Sequence, residues 1–256
     1  MNTKTAVINP FRQRILNRER LIGFWSLMTS TVTVEIAGLT DFDWLVLDGE
    51  HSPTSIPHLM AQLQTLNGNQ VAAVGRPAEN SPALIKQFLD IGFYNLLIPF
   101  IESADQARQA VLATRYPPEG IRGVAGQHRS NRFGTVAHYN ENINEQICVL
   151  LQIETMAGVQ ALDEILQVEG VDGIFIGPSD LAAACGHLGN PSHPEVQATI
   201  RDIHERAQAA GKATGILAPV QADAQRYIEW GVNFVAVGTD LGLYKQALFQ
   251  LRDNFR

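Results

Sequence analysis

The sequence predicts a (β/α)8 barrel, or TIM barrel, that forms one domain over residues 1–256. The chain length of 256 residues is close to the roughly 250 typical of this fold. Short runs rich in Val, Ile, Leu and Phe alternate with segments of helical periodicity, which is the pattern of buried parallel strands joined by helices. Eight such runs occur, whereas an open doubly wound sheet more often has roughly five or six strands.

The predicted elements follow one another in a regular strand-then-helix order. The apolar runs predict strands at 21–27, 44–48, 71–76, 95–100, 147–154, 173–177, 213–217 and 233–238. The amphipathic stretches between them predict helices at 56–66, 82–91, 104–113, 159–168, 194–210 and 222–230. The connection over residues 115–146 is much longer than the usual loop between barrel elements, and we interpret it as a functional flap or a subunit contact.

Composition narrows the function classes. Hydrophobic residues make up 45% of the chain, which is enough to form a large buried core. The formal net charge is −7 and Arg and Lys form no dense run, so nucleic acid is not an expected partner. Cys148 and Cys185 lack the paired spacing of a zinc site and are predicted to be reduced structural thiols. The sequence shows neither an apolar signal core nor a membrane-spanning run, which predicts a cytoplasmic protein with no membrane partner.

Polar residues follow several of the predicted strands. In this fold, catalytic groups project from the carboxyl ends of the strands, so these residues are the candidates for a site. They are Asp48 to His51 after the second strand, Arg76 after the third, Gln152 and Glu154 at the fifth, Ser179 and Asp180 after the sixth, and Thr239 and Asp240 after the eighth.

Glu154 and Asp180 are the candidate metal ligands. The period of two along a strand places Gln152 and Glu154 on the same side of the sheet, facing the barrel axis. Asp180 follows the neighbouring strand, about 4.8 Å away, so both carboxylates could bind one cation, with Mg²⁺ or Mn²⁺ favoured over zinc. The alternatives are a helix N-cap for Asp180 and a barrel salt bridge for Glu154.

Arg76 and His51 are the candidate catalytic residues near these carboxylates. Arg76 ends a strand and precedes Pro77, a position suited to binding a carboxylate or an oxyanion, or to a structural ion pair with Glu50 or Asp90. His51 lies in the turn after the second strand, where it could act as a general base or have only a structural role. Asp90 falls late in a predicted helix and, from the residues alone, is expected to be solvated surface.

The positions of the lysines favour a metal-dependent reaction. Lys4, Lys86, Lys212 and Lys245 lie in the N-terminal tail, in helices or before a strand, and none follows a strand. A Schiff-base mechanism needs a desolvated lysine in the site, so such covalent catalysis is not expected, and a bound metal is the expected source of charge stabilisation. No phosphate-binding loop or dinucleotide fingerprint is present, so ATP and NAD are not expected cofactors.

Several long motifs resemble the HpcH/HpaI family of class II pyruvate aldolases. They cover residues 42–51, 89–92, 114–118 and 170–181, and the likeness extends from about residue 23 to near the C-terminus. Within the family, residues 92–95 and 128–136 are most similar to the branch that cleaves sugar diacids. Ser179 stands where the 4-hydroxy-2-oxoheptanedioate branch usually has Ala.

The resemblance implies a reaction and a set of roles. The reaction is reversible cleavage of 2-keto-3-deoxy-D-glucarate or 5-keto-4-deoxy-D-glucarate to pyruvate and tartronate semialdehyde. The implied roles are metal binding by Glu154 and Asp180, substrate binding by Gln152, Ser179 and Asp180, general base for His51, activation of His51 by Asp90, and oxyanion stabilisation by Arg76. Asp48 is a second candidate partner of His51.

The resemblance also implies a homo-oligomer, a hexamer built as a trimer of dimers, with a C-terminal helix at about 241–254 exchanged between subunits. Three alternatives remain open at this point. They are another 2-keto-3-deoxy acid aldolase of the family such as the 4-hydroxy-2-oxoheptanedioate type, a citramalyl- or malyl-CoA lyase-like enzyme, and a non-catalytic sugar-acid binding protein.

Overall fold

The computed structural model describes residues 7–256 and contains a closed barrel of eight parallel strands, so the predicted fold is confirmed. Each strand pairs with its neighbour in chain order, and the first pairs with the last to close the barrel. The strands are β1 (Leu21–Ser26), β2 (Trp44–Asp48), β3 (Ala72–Arg76), β4 (Asn95–Ile98), β5 (Cys148–Ile153), β6 (Gly173–Ile176), β7 (Ala213–Leu217) and β8 (Phe234–Thr239). Residues 1–6, including Lys4, belong to the predicted domain but lie outside the described residues.

The α-helices pack around the barrel in the described part of the chain. They are α1 (Pro10–Leu16), α2 (Thr31–Gly38), α3 (Ile56–Thr65), α4 (Pro82–Ile91), α5 (Ala104–Thr114), α6 (Tyr139–Asn142), α7 (Met156–Gln160), α8 (Leu162–Leu166), α9 (Pro178–Ala184), α10 (Pro194–Ala209), α11 (Gln221–Trp230) and α12 (Asp240–Asp253). The helix predicted at 159–168 is two short helices that meet at Ala161. None of the helices over residues 7–256 combines the length and the hydrophobicity needed to cross a bilayer.

The fourth strand ends two residues earlier than predicted. Pro99 has no N–H to donate to the strand ladder, and Phe100 has a left-handed backbone conformation with a φ of 52°. The chain therefore leaves the sheet after Ile98. This turn directs the Phe100 N–H toward the interior of the site, where it donates to Glu154.

Four large aromatic rings fill the interior of the barrel. Trp25, Trp44, Phe175 and Phe234 are nearly or fully buried, and their ring centroids lie between 5.5 and 6.4 Å apart in four pairs. Gly23 makes room for this packing, because a Cβ at that position would overlap the Trp44 ring. The interior of the barrel is therefore a packed core and not an open channel.

The long connection over residues 115–146 lies at the opposite end of the barrel from that mouth. It follows the end of α5 and leads into the start of β5, and both of these points lie at the amino ends of the strands. Arg129 in this segment donates to the Ile91 carbonyl at the end of α4, at 2.8 Å. The connection therefore does not cover the carboxyl mouth of its own chain, and both the functional flap and the subunit contact stay predictions.

The last helix, α12, exposes many apolar side chains. Its first residue, Asp240, is its only buried residue, whereas Tyr244 and Phe249 are 55% and 54% exposed. Single exposed apolar residues are common on protein surfaces, but a row of them along one helix marks an association surface. The exchange of this helix between subunits stays a prediction.

We expect truncation of the barrel core at Phe234 to destabilise the fold strongly. Phe234→Ala removes a fully buried ring from the aromatic cluster, and such changes typically cost about 3–5 kcal/mol. Urea unfolding followed by circular dichroism measures this loss. Leu39→Ala, at a side chain that is 78% exposed, is the control, and its effect should stay within about 0.5 kcal/mol. Equal losses in the two variants would contradict this view of the core.

Candidate active site

A cavity of about 350 Å³ opens at the carboxyl ends of the strands. It brings together five of the residues predicted from the sequence, namely His51, Arg76, Gln152, Ser179 and Asp180. Its apolar wall and floor include Trp25, Leu27, Phe175, Leu217, Pro219 and Tyr227, none of which was predicted. The cavity is of a size and polarity suited to a small polar molecule.

Arg76 lies at the end of β3, where it forms a buried ion-pair network. Its Nε donates to Asp48 at 2.9 Å and its Nη2 to the other oxygen of the same carboxylate, while Nη1 lies 2.7 Å from Glu50. The guanidinium also stacks over the Trp25 ring, with Cζ 4.8 Å from the ring centroid. Of the two structural partners considered for Arg76, Glu50 is therefore present and Asp90 is not.

Glu154 is held in place directly after β5. Its carboxylate accepts hydrogen bonds from the Phe100 N–H at 2.9 Å and from the Gln152 amide. Within residues 7–256 no Arg, Lys or His side chain pairs with it, so the described structure does not support the salt-bridge alternative. Burial raises the pKa of Glu154 to about 7, and the negative charges of Glu50 and Asp180 add to this effect.

Asp180 lies in the first turn of α9, three residues after the N-cap. The N-cap is Gly177, so the prediction of Asp180 as a capping residue is wrong. A carboxylate in the first turn of a helix is stabilised by the unpaired backbone N–H groups there. Asp180 lines the cavity and acts electrostatically on both Glu50 and Glu154.

Glu50 belongs to the Asp48 to His51 segment predicted to follow β2, but the only specific role predicted for it was an ion pair with Arg76. Burial raises its pKa to about 7; Arg76 opposes this shift, and Asp48 and Asp180 add to it. A signal was present in the sequence, because Glu50 stands two positions after Asp48 and so continues the inward-facing parity of β2.

The residues around Glu154 fit a divalent cation. Gln152 Oε1 is buried and has no hydrogen-bond partner among the described residues, and Glu50 Oε2 contacts Arg76 without hydrogen-bond geometry. Gly177 leaves the space open, because a Cβ there would overlap Glu154 and would lie 2.9 Å from Gln152 Nε2. Carboxylate and amide oxygens are the ligands that Mg²⁺ and Mn²⁺ prefer.

The side chain of His51 is 62% exposed at the rim of the cavity, and Glu50 lies 4.0 Å from its Nε2. Asp48 accepts from the backbone N–H of His51, at 3.4 Å, and not from its ring. Asp90 lies near the end of α4, at the opposite end of the barrel, where it pairs with Arg122 at 2.8 Å. Within one chain, neither predicted carboxylate contacts the His51 ring.

Asp240 was also among the predicted converging residues, but it has a structural role. It accepts hydrogen bonds from the Ser26 hydroxyl and from the backbone N–H groups of Leu27 and Met28. These bonds tie the end of β1 to the start of α12. Thr239 is the N-cap of the same helix, with its hydroxyl accepting from the Gly242 N–H.

Comparison with known proteins identifies the family of this chain. Residues 21–247 match the sequence profile of the HpcH/HpaI aldolase/citrate lyase family. The chain belongs to this family. Proteins named 5-keto-4-deoxy-D-glucarate aldolase from Escherichia coli O157:H7 and from Enterobacter sp. strain 638 are each 55% identical to it over 248 residues, covering 97% of both chains.

Solved structures of the family share the same fold. The crystal structure of an HpcH/HpaI aldolase/citrate lyase family protein from Burkholderia cenocepacia J2315 has a TM-score of 0.94 and 35% identity to this chain. The match covers 97% of this chain and 99% of that one. The family resemblance predicted from the sequence motifs is therefore confirmed.

We expect the metal-free protein to lose stability as pH rises from about 5 to 7. The ordinary pKa of glutamate is 4.5 and that of folded Glu154 is about 7, so between these values folded Glu154 holds a proton that the unfolded chain has released. This difference stabilises the folded state at low pH, and the stabilisation is lost as pH rises through about 7. A shift of this size corresponds to at most about 3 kcal/mol. Urea unfolding in EDTA at pH 5 and 7.5 should show a smaller decline for Glu154→Gln. An equal loss of stability in the parent protein and in Glu154→Gln would show that Glu154 does not hold a proton in this pH range.

Proposed function

We propose that this protein is a metal-dependent aldolase that reversibly cleaves 5-keto-4-deoxy-D-glucarate or 2-keto-3-deoxy-D-glucarate to pyruvate and tartronate semialdehyde. The observation that carries this proposal is the group of carboxylate and amide oxygens at the ends of β5 and β6, beside the buried guanidinium of Arg76. No lysine among the described residues lines the cavity, which argues against a Schiff base. The relatives at 55% identity carry the name of the same activity.

We assign metal binding to Glu154 and Asp180, with the Gln152 amide beside them. A divalent cation bound there would polarise the keto acid and neutralise negative charge that develops on its C2 oxygen. We favour Mg²⁺ or Mn²⁺ because the available ligands are all oxygens. Without a cation, burial and the nearby carboxylates raise the pKa of Glu154 to about 7. A bound cation would stabilise the ionised carboxylate in this environment, which supports a metal at this position.

We assign oxyanion stabilisation to Arg76. Asp48 and Glu50 hold its guanidinium from two sides, so its orientation is fixed before a substrate arrives. Arg76 is buried but lines the cavity, which supports a role for its positive charge at the keto-acid end of a ligand. We assign contacts with the rest of the substrate to Ser179, which lines the cavity at the start of α9.

We assign the general base to His51, which would take the proton from the C4 hydroxyl directly or through a water. Its exposed position at the rim is compatible with a substrate that extends outward from the buried carboxylates. Asp90 lies at the other end of the same barrel, so activation of His51 by Asp90 requires a second copy of the chain. We therefore propose a homo-oligomer. From the family resemblance we further propose that it is a hexamer in which α12 is exchanged between subunits. The cytoplasmic location stays a prediction.

A pyruvate-release assay on a panel of keto acids tests this function. With lactate dehydrogenase as the readout, we expect turnover of the glucarate-derived keto acids, complete loss of activity in EDTA, and recovery with Mg²⁺ or Mn²⁺. Asp180→Asn should bind Mg²⁺ much more weakly while its circular dichroism spectrum is unchanged. Full activity in excess EDTA, or a borohydride-trapped lysine adduct, would overturn the metal-dependent mechanism. Preference for 4-hydroxy-2-oxoheptanedioate or for a CoA thioester would overturn the assignment of the substrate.

We expect His51→Ala to slow cleavage by about 10²- to 10⁴-fold, the usual contribution of general acid–base catalysis. Mg²⁺ affinity should stay nearly unchanged, because the ring lies at the rim and not among the buried carboxylates. Three measurements on this variant separate the possible roles: cleavage rate, Mg²⁺ dissociation constant and melting temperature. A weakened Mg²⁺ site with recovery at high Mg²⁺ would make His51 a ligand, and a change in melting temperature alone would make it structural.

A further inference from the structure

We propose that His187, His193 and Glu195 form a second metal site, selective for a transition cation such as Zn²⁺, Ni²⁺ or Cu²⁺ and separate from the carboxylate site in the barrel. Each of these residues offers one ligand atom, and the three atoms lie within 4.8 Å of one another. His187 Nε2 lies 2.9 Å from Glu195 Oε2, and the two imidazole rings stack with centroids 3.4 Å apart at an angle of 18°.

The loop between α9 and α10 brings these residues together through its own backbone hydrogen bonds. Gly186 and Gly189 have left-handed φ values of 81° and 77°, which turn the chain back on itself. Successive bonds then join the His187 N–H to the Ala182 carbonyl and the His193 N–H to the Asn190 carbonyl. Because the loop is already ordered in this way, the three ligands meet without a large entropy cost.

The ring of His193 is oriented by the helix that follows it. As the N-cap of α10, His193 accepts at Nδ1 from the Glu195 N–H at 3.3 Å, which leaves its Nε2 available for a cation. Glu195 lies in the first turn of the same helix, and its hydrogen bond with His187 keeps the pKa of its carboxyl below the usual value. His187 and His193 are half-buried and Glu195 is exposed, so a cation can enter from solvent.

The ligand types separate this site from the one in the barrel. Imidazole nitrogens favour Zn²⁺, Ni²⁺ and Cu²⁺, whereas sites made of oxygens favour Mg²⁺ and Mn²⁺. Three protein ligands leave further coordination positions to water. A cation of the first class is therefore expected to bind at the loop even when Mg²⁺ is plentiful.

The position of the site relates it to the cavity. Pro191 and Ser192, which lie between the two histidines, form part of the cavity wall, and the Gln197 amide donates to the Pro191 carbonyl at 2.8 Å. A cation bound to His187 and His193 would therefore hold this wall segment in place at both of its ends. The proposal of the site itself does not depend on which reaction the cavity supports.

Calorimetric titration with Zn²⁺ on tag-free protein tests the site. The parent is the full-length Glu154→Gln/Asp180→Asn variant, so that the carboxylate site in the barrel does not contribute. We expect one Zn²⁺ per chain, and at least tenfold weaker binding after His187→Gln and His193→Asn are added; Asn preserves an acceptor at the N-cap. His138→Gln is the matched control, because His138 and Glu141 form another exposed His–Glu pair, 3.0 Å apart.

A Cu²⁺ electron paramagnetic resonance spectrum gives an independent readout, since histidine ligands add nitrogen coupling to the signal. We expect this coupling in the parent and in His138→Gln, and its loss when His187 and His193 are both replaced. Circular dichroism checks that each variant is folded, and the single variants replace the double one if it is not. Absence of stoichiometric Zn²⁺ binding by the parent, unchanged affinity after the substitutions, or equal weakening by His138→Gln would each overturn the proposal.

Discussion

The buried ion-pair network of Arg76 is the interaction on which the rest of the site depends. Burial alone would raise the pKa of Asp48, but the hydrogen bonds and charge of Arg76 hold it below its usual value. Burial is the main cause that raises the pKa of both Glu50 and Glu154 to about 7, and repulsion from neighbouring carboxylates adds to it. Removing Arg76 would leave the buried Asp48 carboxylate without its partner, which typically costs about 3–5 kcal/mol. A nearby positive charge would stabilise the ionised form of these buried carboxyls, which is the physical basis for proposing a cation here.

Strand register builds this network directly from the barrel. Asp48 and Arg76 are paired positions at the ends of β2 and β3, so their side chains leave the sheet side by side. On the other side of the mouth, β5 and β6 pair Ile153 with Ile176, which brings the next residues of each strand, Glu154 and Gly177, into contact. The lack of a side chain at Gly177 is thus required by the approach of the carboxylate. Shifting either register by one residue would turn these groups to the other face of the sheet.

The sequence predicted the barrel well because its signals are local. Apolar runs and helical periodicity depend only on neighbouring residues, and the polar residues that end those runs marked most of the cavity. The errors came from relations that are not local. The direction of α4 places Asp90 at the far end of the barrel, and its ion pair with Arg122 joins residues 32 positions apart. The raised pKa of Glu50 depends on its burial and on charged groups of β2, β3 and α9. The early end of β4 follows from Pro99, which has no N–H for the strand ladder.

The end of the barrel opposite the cavity is the surface that a single chain leaves incomplete. Arg122 has a fully buried side chain, yet its Nε and Nη1 have no hydrogen-bond partner within the described residues. Its neighbours Ile121 and Val124 are 58% and 65% exposed, on the same connection that packs against α4. Because Asp90 lies on this surface and His51 on the opposite rim, the proposed pair of these residues exists only between copies. Activation of His51 by Asp90, as proposed, would therefore need a second copy of the chain, since the two groups of one chain lie at opposite ends of its barrel.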